Sequence, residues 1–133
     1  MRSNQKVLIV EDHKDSCLWI SAIMRQSGFE TIEANDGTLG VRLARKERPN
    51  LILLDIHLPA GSGFFVLESL KKAEETRAIP VIIMTGDLEI NDEEMKRLGA
   101  AATFKKPMDV QDFIKTIRAV IDNYKNVNLM LPA

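Results

Sequence analysis

The arrangement of apolar residues along the chain constrains its fold more than any other feature of the sequence. Short runs, continuously apolar in 7–10, 51–54 and 81–84, alternate with longer amphipathic stretches, and this alternation occurs five times. Continuously apolar runs are typical of strands buried on both faces, and the stretches between them are long enough for crossover helices. The sequence therefore predicts five consecutive units, each with one strand and one helix.

These units define the expected architecture. The predicted strands are Lys6–Val10, Glu30–Glu33, Leu51–Leu54, Val81–Met84 and Ala102–Lys105. The predicted helices are Asp15–Gln26, Thr38–Lys46, Phe64–Ala73, Asn91–Leu98 and Val110–Asn123. Right-handed crossovers place such helices on both faces of an open, doubly wound parallel sheet, which makes this an α/β fold. We expect one domain over residues 1–125 and a tail, or the start of a linker, over 126–133.

Residues that cap helices, and the apolar face of the first helix, add detail to the predicted fold. Gly28 is expected to end the first helix, and Asp109 to cap the last one. Trp19 and Ile23 lie four residues apart in the first helix, so we expect both in the core. The single cysteine, Cys17, is interpreted as a small buried hydrophobic residue.

Charge and hydropathy exclude several classes of protein. With 18 Lys and Arg against 19 Asp and Glu, the net charge is −1, which argues against a dedicated nucleic-acid binder. The basic residues Arg42, Arg45, Lys46 and Arg48 are interpreted as a solvated helix face. No apolar run approaches the roughly 20 residues of a membrane span, and the amino terminus lacks a secretory signal. We expect a cytoplasmic protein without direct contact to membranes.

Polar residues at the ends of apolar strands predict the functional site. Glu11 and Asp12 follow the first strand, and Asp55, Thr85 and Lys106 stand at the ends of the third, fourth and fifth strands. In open parallel sheets, ligands bind at the carboxyl ends of the strands. Clustered carboxylates are costly unless a cation or a buried amine compensates their charge. A set of oxygen ligands suits Mg²⁺, and Lys106 would supply a positive charge beside the cluster.

Four sequence motifs identify a family resemblance. In order, they are Val7-Leu8-Ile9-Val10-Glu11-Asp12, Leu53-Leu54-Asp55-Ile56-His57-Leu58-Pro59 with Gly63, Met84-Thr85-Gly86, and Lys106-Pro107. Over about Lys6 to Asn123, the chain resembles the receiver domain of response regulators in bacterial two-component systems. This resemblance implies a flavodoxin-like receiver fold with strand order 2-1-3-4-5.

The resemblance also implies a role for each matching residue. Asp55 would be the nucleophile and phosphorylation site, and Mg²⁺, with Mn²⁺ as the alternative, would bind Asp12, Asp55 and the backbone carbonyl of His57. Glu11 would act mostly through metal-bound water. Thr85, Gly86 and Lys106 are the expected phosphoryl-binding and switch residues. The resemblance further marks Pro107 as a candidate for a cis peptide bond, and His57 and Asp87 as residues that tune the lifetime of the phosphorylated state.

Two positions depart from the common receiver pattern. Thr103 stands where receivers usually have an aromatic switch residue, with Phe104 beside it, and Ser62 stands where an acidic residue is frequent. The aromatic switch is therefore not carried over to this chain. His13, which follows the acidic pair, is expected to be a solvent-facing loop residue.

Other functions fit the sequence less well. Aspartate-nucleophile phosphohydrolases place a second Asp two residues after the nucleophile, where this chain has His57. No phosphate-binding G-x-G-x-x-G or G-x-x-x-x-G-K-[ST] run follows a strand. The main alternative is a receiver-shaped docking domain that phosphorylation does not regulate. We expect a signalling domain that catalyses only its own phosphorylation and dephosphorylation, and not an enzyme in the ordinary sense.

The expected partners follow from the receiver resemblance. A sensor histidine kinase or a phosphotransfer protein would supply the phosphoryl group. The signal would pass to a downstream protein target or to an output domain outside this sequence. The chain would be a monomer or a dimer that forms on phosphorylation.

Overall fold

A computed structural model describes residues 5–58 and 63–130, with side chains as far as Tyr124. Five strands and five helices alternate along the chain. The elements are β1 Lys6–Val10, α1 Lys14–Gln26, β2 Glu30–Ala34, α2 Gly37–Glu47, β3 Leu51–Asp55, α3 Gly63–Lys72, β4 Val81–Thr85, α4 Asp92–Arg97, β5 Ala102–Lys105 and α5 Val110–Met130.

The strands form one parallel sheet in the order β2-β1-β3-β4-β5, as expected. Successive side chains of a strand point to opposite faces, so the central strands supply two cores. One core contains Ile9, Leu53 and Met84 with residues of α1 and α5. The other contains Val10 and Leu54 with residues of α2, α3 and α4. The doubly wound α/β fold is therefore confirmed.

Local signals fix several helix ends. Asp36 accepts a hydrogen bond from the backbone N–H of Leu39 at 2.8 Å and caps α2. Asp109 accepts one from Asp112 at 3.0 Å, which confirms the predicted cap of α5. Gly28, with φ of +96°, lies directly after the α1 C-cap in a left-handed conformation that favours glycine.

Two sequence-based expectations about the helices are wrong. Trp19 is 47% exposed and so lies outside the core, whereas Ile23 is buried there as expected. The other buried residues of α1 include Cys17, Ile20 and Met24. Apolar residues occur around most of α1, so periodicity alone could not identify the face that the sheet covers. Helix α5 continues to Met130, beyond its expected end at Asn123, because no glycine or proline interrupts the chain before Pro132. Residues 126–130, expected in a tail or linker, are therefore helical.

A glycine brings α3 against the end of β3. A Cβ on Gly63 would collide with backbone atoms of Ile56, and the Gly63 N–H donates to the Ile56 carbonyl oxygen at 2.8 Å. The first turn of α3 therefore packs directly beside Asp55. In the described part of the chain, no helix is long and apolar enough to span a bilayer.

Candidate active site at the carboxyl edge of the sheet

The carboxyl edge of the sheet holds the polar residues that the sequence places at strand ends. Glu11 and Asp12 follow β1, and Asp55, Thr85 and Lys106 lie at the ends of β3, β4 and β5. Since β3 pairs with both β1 and β4, their carboxyl ends are adjacent. Glu11, Asp55 and Thr85 are 1%, 4% and 0% exposed. Three polar side chains are thus buried at the edge of an otherwise apolar sheet.

Lys106 joins the two buried carboxylates. Its Nζ donates to Glu11 Oε2 at 3.0 Å and to Asp55 Oδ2 at 3.3 Å. The other carboxylate oxygen of Asp55, Oδ1, accepts a hydrogen bond from the backbone N–H of His57 at 3.0 Å. Buried charges are costly unless they are paired and hydrogen-bonded. These contacts stabilise an ionised Asp55 and fix its orientation.

The surroundings shift the pKa values of the two buried carboxylates, Glu11 and Asp55, in opposite directions. Burial raises the pKa of Glu11, and the neighbouring Asp55 raises it further against the opposing effect of Lys106. Burial also acts to raise the pKa of Asp55, but hydrogen bonds from Glu11, the His57 N–H and Lys106 hold it below its usual value. Adjacent carboxylates resist double ionisation. Asp55 is therefore the one held in the charged form that a nucleophile requires.

Lys106 remains protonated in this environment. Burial acts to lower the pKa of its ammonium group, but Glu11 and Asp55 outweigh burial and raise the pKa overall. A fixed positive charge therefore stands 3.3 Å from the Asp55 carboxylate.

The acidic residues fit a hard divalent cation. Glu11, Asp12, His13 and Asp55 each offer one ligand atom, and these atoms lie within 4.8 Å of one another. Among the described residues, Asp12 Oδ1 is a buried oxygen that accepts no hydrogen bond. Buried polar atoms normally have a partner, and carboxylate oxygens suit Mg²⁺. The backbone carbonyl of His57 stays a predicted ligand.

His13 lies closer to this cluster than its sequence position indicated. Its side chain is exposed, but Nδ1 lies 3.3 Å from Glu11 Oε1. The same nitrogen is 3.4 Å from Asp12 Oδ1, without the geometry of a hydrogen bond. The solvent-facing position is correct, whereas the contact with the acidic pair was not predicted. Its adjacency to that pair was the only signal in the sequence.

The loop after β4 contains the other predicted switch residues. The Thr85 hydroxyl oxygen accepts a hydrogen bond from the backbone N–H of Asp87 at 3.0 Å. A Cβ on Gly86 would meet no atom within 4 Å, so the space beside this backbone is open. Thr85 is thus engaged with its own loop, next to space for a small ligand.

Two further contacts hold the β4–α4 loop. His57 Nε2 lies 3.3 Å from Asp87 Oδ2, so the two expected lifetime-tuning residues face each other across the rim of the site. Lys105 Nζ donates to the carbonyl oxygens of Asp87 and Ile90 at 3.2 and 2.5 Å. The role of Lys105 was not predicted, because its partners are backbone atoms that the sequence does not distinguish.

The two faces of β5 show why Phe104 does not replace the missing aromatic residue. Phe104 packs edge-on against Phe113 of α5, with ring centroids 5.1 Å apart. Thr103 is paired in register with Ile83, which belongs to the opposite core. Adjacent residues of a strand point to opposite faces. Phe104 therefore lies on the wrong side of the sheet to take the place of Thr103.

The residues of the predicted motifs still to be placed are Pro107, Pro59 and Ser62. The peptide bond between Lys106 and Pro107 is cis. Pro59 and Ser62, which belong to the predicted motif and its departures, lie outside the described residues.

Comparisons with known proteins agree with this geometry. A family model described as the response regulator receiver domain matches residues 7–118. Protein PilH of Pseudomonas aeruginosa is 39% identical over 117 residues, which cover 87% of this chain and 97% of PilH. The polar-differentiation response regulator DivK of Brucella anthropi is 40% identical over 118 residues, covering 88% of this chain and 96% of DivK.

Solved structures are similar over nearly the whole chain. A CheY-like receiver domain protein from Methanospirillum hungatei superposes with a TM-score of 0.85 at 27% identity, covering 93% of this chain and 98% of that structure. The receiver domain of the sensor histidine kinase PA1611 from Pseudomonas aeruginosa gives a TM-score of 0.78 at 25% identity, covering 92% and 98%. The PA1611 structure has a magnesium ion coordinated in its active-site cleft.

Proposed function

Since this chain belongs to the response regulator receiver family, the phosphoacceptor domains of two-component signalling, we propose that Asp55 accepts the phosphoryl group. The observation that carries this assignment is the environment of Asp55. It is a buried carboxylate at the carboxyl edge of the sheet, held ionised by Lys106 and by the His57 N–H. A sensor histidine kinase or a phosphotransfer protein would act as the donor.

The transfer is an in-line displacement at phosphorus. An oxygen of Asp55 forms the new P–O bond while the P–N bond of a phosphohistidine breaks. The leaving imidazole nitrogen keeps the bonding electron pair and takes a proton from solvent. The Lys106 ammonium, 3.3 Å from Asp55, balances charge that develops on the phosphoryl oxygens.

The metal site follows from the same residues. Asp12, Asp55 and the backbone carbonyl of His57 would hold Mg²⁺, with Glu11 acting through water, and Mn²⁺ would accept the same oxygen ligands. The bound cation would supply positive charge beside the transferred group. The buried Asp12 oxygen without a hydrogen-bond partner supports this assignment.

The signal would pass through the β4–α4 loop. In the present structure the Thr85 hydroxyl accepts from the Asp87 N–H, and Lys105 binds two carbonyls of the same loop. A phosphoryl group on Asp55 would attract the Thr85 hydroxyl and the Gly86 N–H, and would compete with these contacts. We expect a protein target in the cytoplasm to read the change on the surface of α4, β5 and α5, without an aromatic residue at position 103. The phosphorylated chain would act as a monomer or as a dimer that forms on phosphorylation.

Incubation with acetyl phosphate tests the assignment of Asp55. We expect the intact mass of the wild-type chain to increase by one phosphoryl group when Mg²⁺ is present, and to stay unchanged in Asp55→Asn. Asp122→Asn, which changes an exposed aspartate of α5, is the matched control and should gain the same mass. Phosphorylation of Asp55→Asn at the wild-type rate would overturn the assignment. A wild-type chain that gains no mass from acetyl phosphate or from kinases would favour the docking alternative.

A further inference from the structure

A groove of about 580 Å³ lies between α2 and α3, apart from the residues that surround Asp55. Its apolar lining includes Val41, Phe65 and Val66, and its basic lining includes Arg42, Arg45 and Lys46. We propose that this α2–α3 groove binds an acidic, amphipathic helix of a partner protein. This interaction is additional to phosphotransfer and does not depend on Asp55.

The basic side of the groove carries positive charge that the chain itself does not neutralise. Arg42, Arg45 and Lys46 are spaced so that all three lie on one face of α2, where like charges destabilise a helix slightly. Arg45 pairs with Glu75 at 3.4 Å. Within the described residues, Arg42 and Lys46 form no ion pair, and both are exposed. Since the whole chain has a net charge of −1, this positive charge is a local feature.

The apolar side of the groove supplies an anchor site. Val66 is buried at its base, Val41 is half-buried, and Phe65 is 64% exposed. An exposed aromatic residue beside a concave apolar surface is typical of protein interaction sites. A groove between two helices fits the apolar face of a third helix, which docks through side chains spaced three and four residues apart.

Charge complementarity favours an acidic helix as the ligand of the α2–α3 groove. Acidic residues that flank the apolar face of the docked helix would lie against Arg42 and Lys46, and Phe65 would pack on its apolar side chains. Nucleic acid is disfavoured because its affinity rests on many phosphate contacts, whereas Val41, Phe65 and Val66 give this groove an apolar part. The interpretation of Arg42, Arg45 and Lys46 as a merely solvated face leaves the exposed Phe65 beside them unexplained.

Three synthetic helices test the proposal with the full chain. Each has about 18 residues, or five helical turns. The first has leucines on one face and glutamates on the flanks, the second replaces glutamate with lysine, and the third replaces leucine with serine. Binding is followed by the backbone amide shifts of the isotope-labelled protein. We expect saturable shifts confined to α2 and α3 with the first peptide, and at least about tenfold weaker binding of the other two.

Variants of exposed residues identify the contacts. We expect the double variant Arg42→Glu/Lys46→Glu and the single variant Phe65→Ser each to weaken binding of the acidic peptide at least about tenfold. Lys115→Glu, on the exposed face of α5, is the charge control and should bind normally. All variants should keep phosphorylation by acetyl phosphate, which separates this proposal from that for Asp55.

Several outcomes would overturn the docking proposal. They are equal binding of the acidic and basic peptides, shifts centred outside α2 and α3, and an absence of saturable shifts at about 1 mM peptide, where even a weak complex is populated. Stronger shifts of the same amides by a DNA duplex or by phosphatidylserine vesicles would also overturn it, in favour of those ligands.

Discussion

Two partly buried lysines at opposite edges of the sheet show how environment decides the role of one residue type. Lys106, at the carboxyl edge, donates to the carboxylates of Glu11 and Asp55. Lys71, near the end of α3, donates to the carbonyl oxygens of Arg77 and Ile79 at 3.2 and 2.9 Å, just before β4 begins. Each lysine thus makes two hydrogen bonds in a partly buried place.

The partners give the two ammonium groups opposite pKa shifts. Carboxylates raise the pKa of Lys106 despite its burial, whereas burial lowers the pKa of Lys71, whose partners are uncharged. Lys106 therefore supplies a permanent charge for chemistry, and Lys71 connects α3 to the segment that leads into β4. Equal numbers of hydrogen bonds do not imply equal functions, and the charge of the acceptors makes the difference.

Removal of Lys106 should have the largest effect. We expect Lys106→Met to reduce the rate of phosphorylation by acetyl phosphate roughly 100- to 1,000-fold, the cost of losing one preorganised group that stabilises charge in a transition state. Intact-mass time courses measure this rate. Lys71→Met and the exposed Lys115→Met should keep the wild-type rate of phosphorylation. A reduced rate in Lys71→Met would contradict the distinction between a lysine for chemistry at one edge of the sheet and a structural lysine at the other.

Removal of Lys71 should change stability instead. We expect Lys71→Met to lower the free energy of unfolding by about 1–2 kcal/mol, because two carbonyl groups lose their donor while the methionine retains much of the apolar contact. This corresponds to a factor of about 5–30 in the ratio of folded to unfolded protein. Urea denaturation measures it, with Lys115→Met as control. A wild-type midpoint in Lys71→Met would show that these hydrogen bonds contribute nothing.

The contact between His57 and Asp87 should have a smaller effect, on the lifetime of the phosphorylated state. A pair this exposed is worth about 0.2–1 kcal/mol, so we expect His57→Ala or Asp87→Ala to accelerate dephosphorylation by up to about fivefold. The expected cause is easier access of water across the rim. The double variant should resemble each single variant. Wild-type decay rates in both single variants would remove these residues from that role.

The pH dependence of stability should show the smallest effect. Because the folded-state pKa of Lys71 lies below its ordinary value of 10.5, the unfolded chain binds more protons between those two values. The contribution of Lys71 to the unfolding free energy therefore rises with pH through this window and is constant above it. We expect urea midpoints measured up to pH 10.5 to show this rise in the wild type relative to Lys71→Met. Parallel pH profiles would contradict the lowered pKa.

The pattern of the sequence was sufficient for the architecture and for much of the candidate site. The alternation of strands and helices along the chain predicted the sheet, and polar residues at strand ends predicted where Glu11, Asp55 and Lys106 meet. Contacts to backbone atoms were not predictable. Lys71 and Lys105 resemble ordinary surface lysines in the sequence. Every residue has a backbone carbonyl, so the sequence does not show which of these groups the fold brings within reach of a lysine.

The sequence by itself determined where the three central strands lie along the chain, because burial on both faces requires continuous apolar runs. Tertiary structure decided which side of α1 the sheet covers, so that Cys17 is buried and Trp19 exposed. It also decided that Phe104 lies on the opposite face from Thr103, and that Arg42 and Phe65 line one groove. The reason is that periodicity fixes which residues share a face, whereas only packing fixes what that face meets.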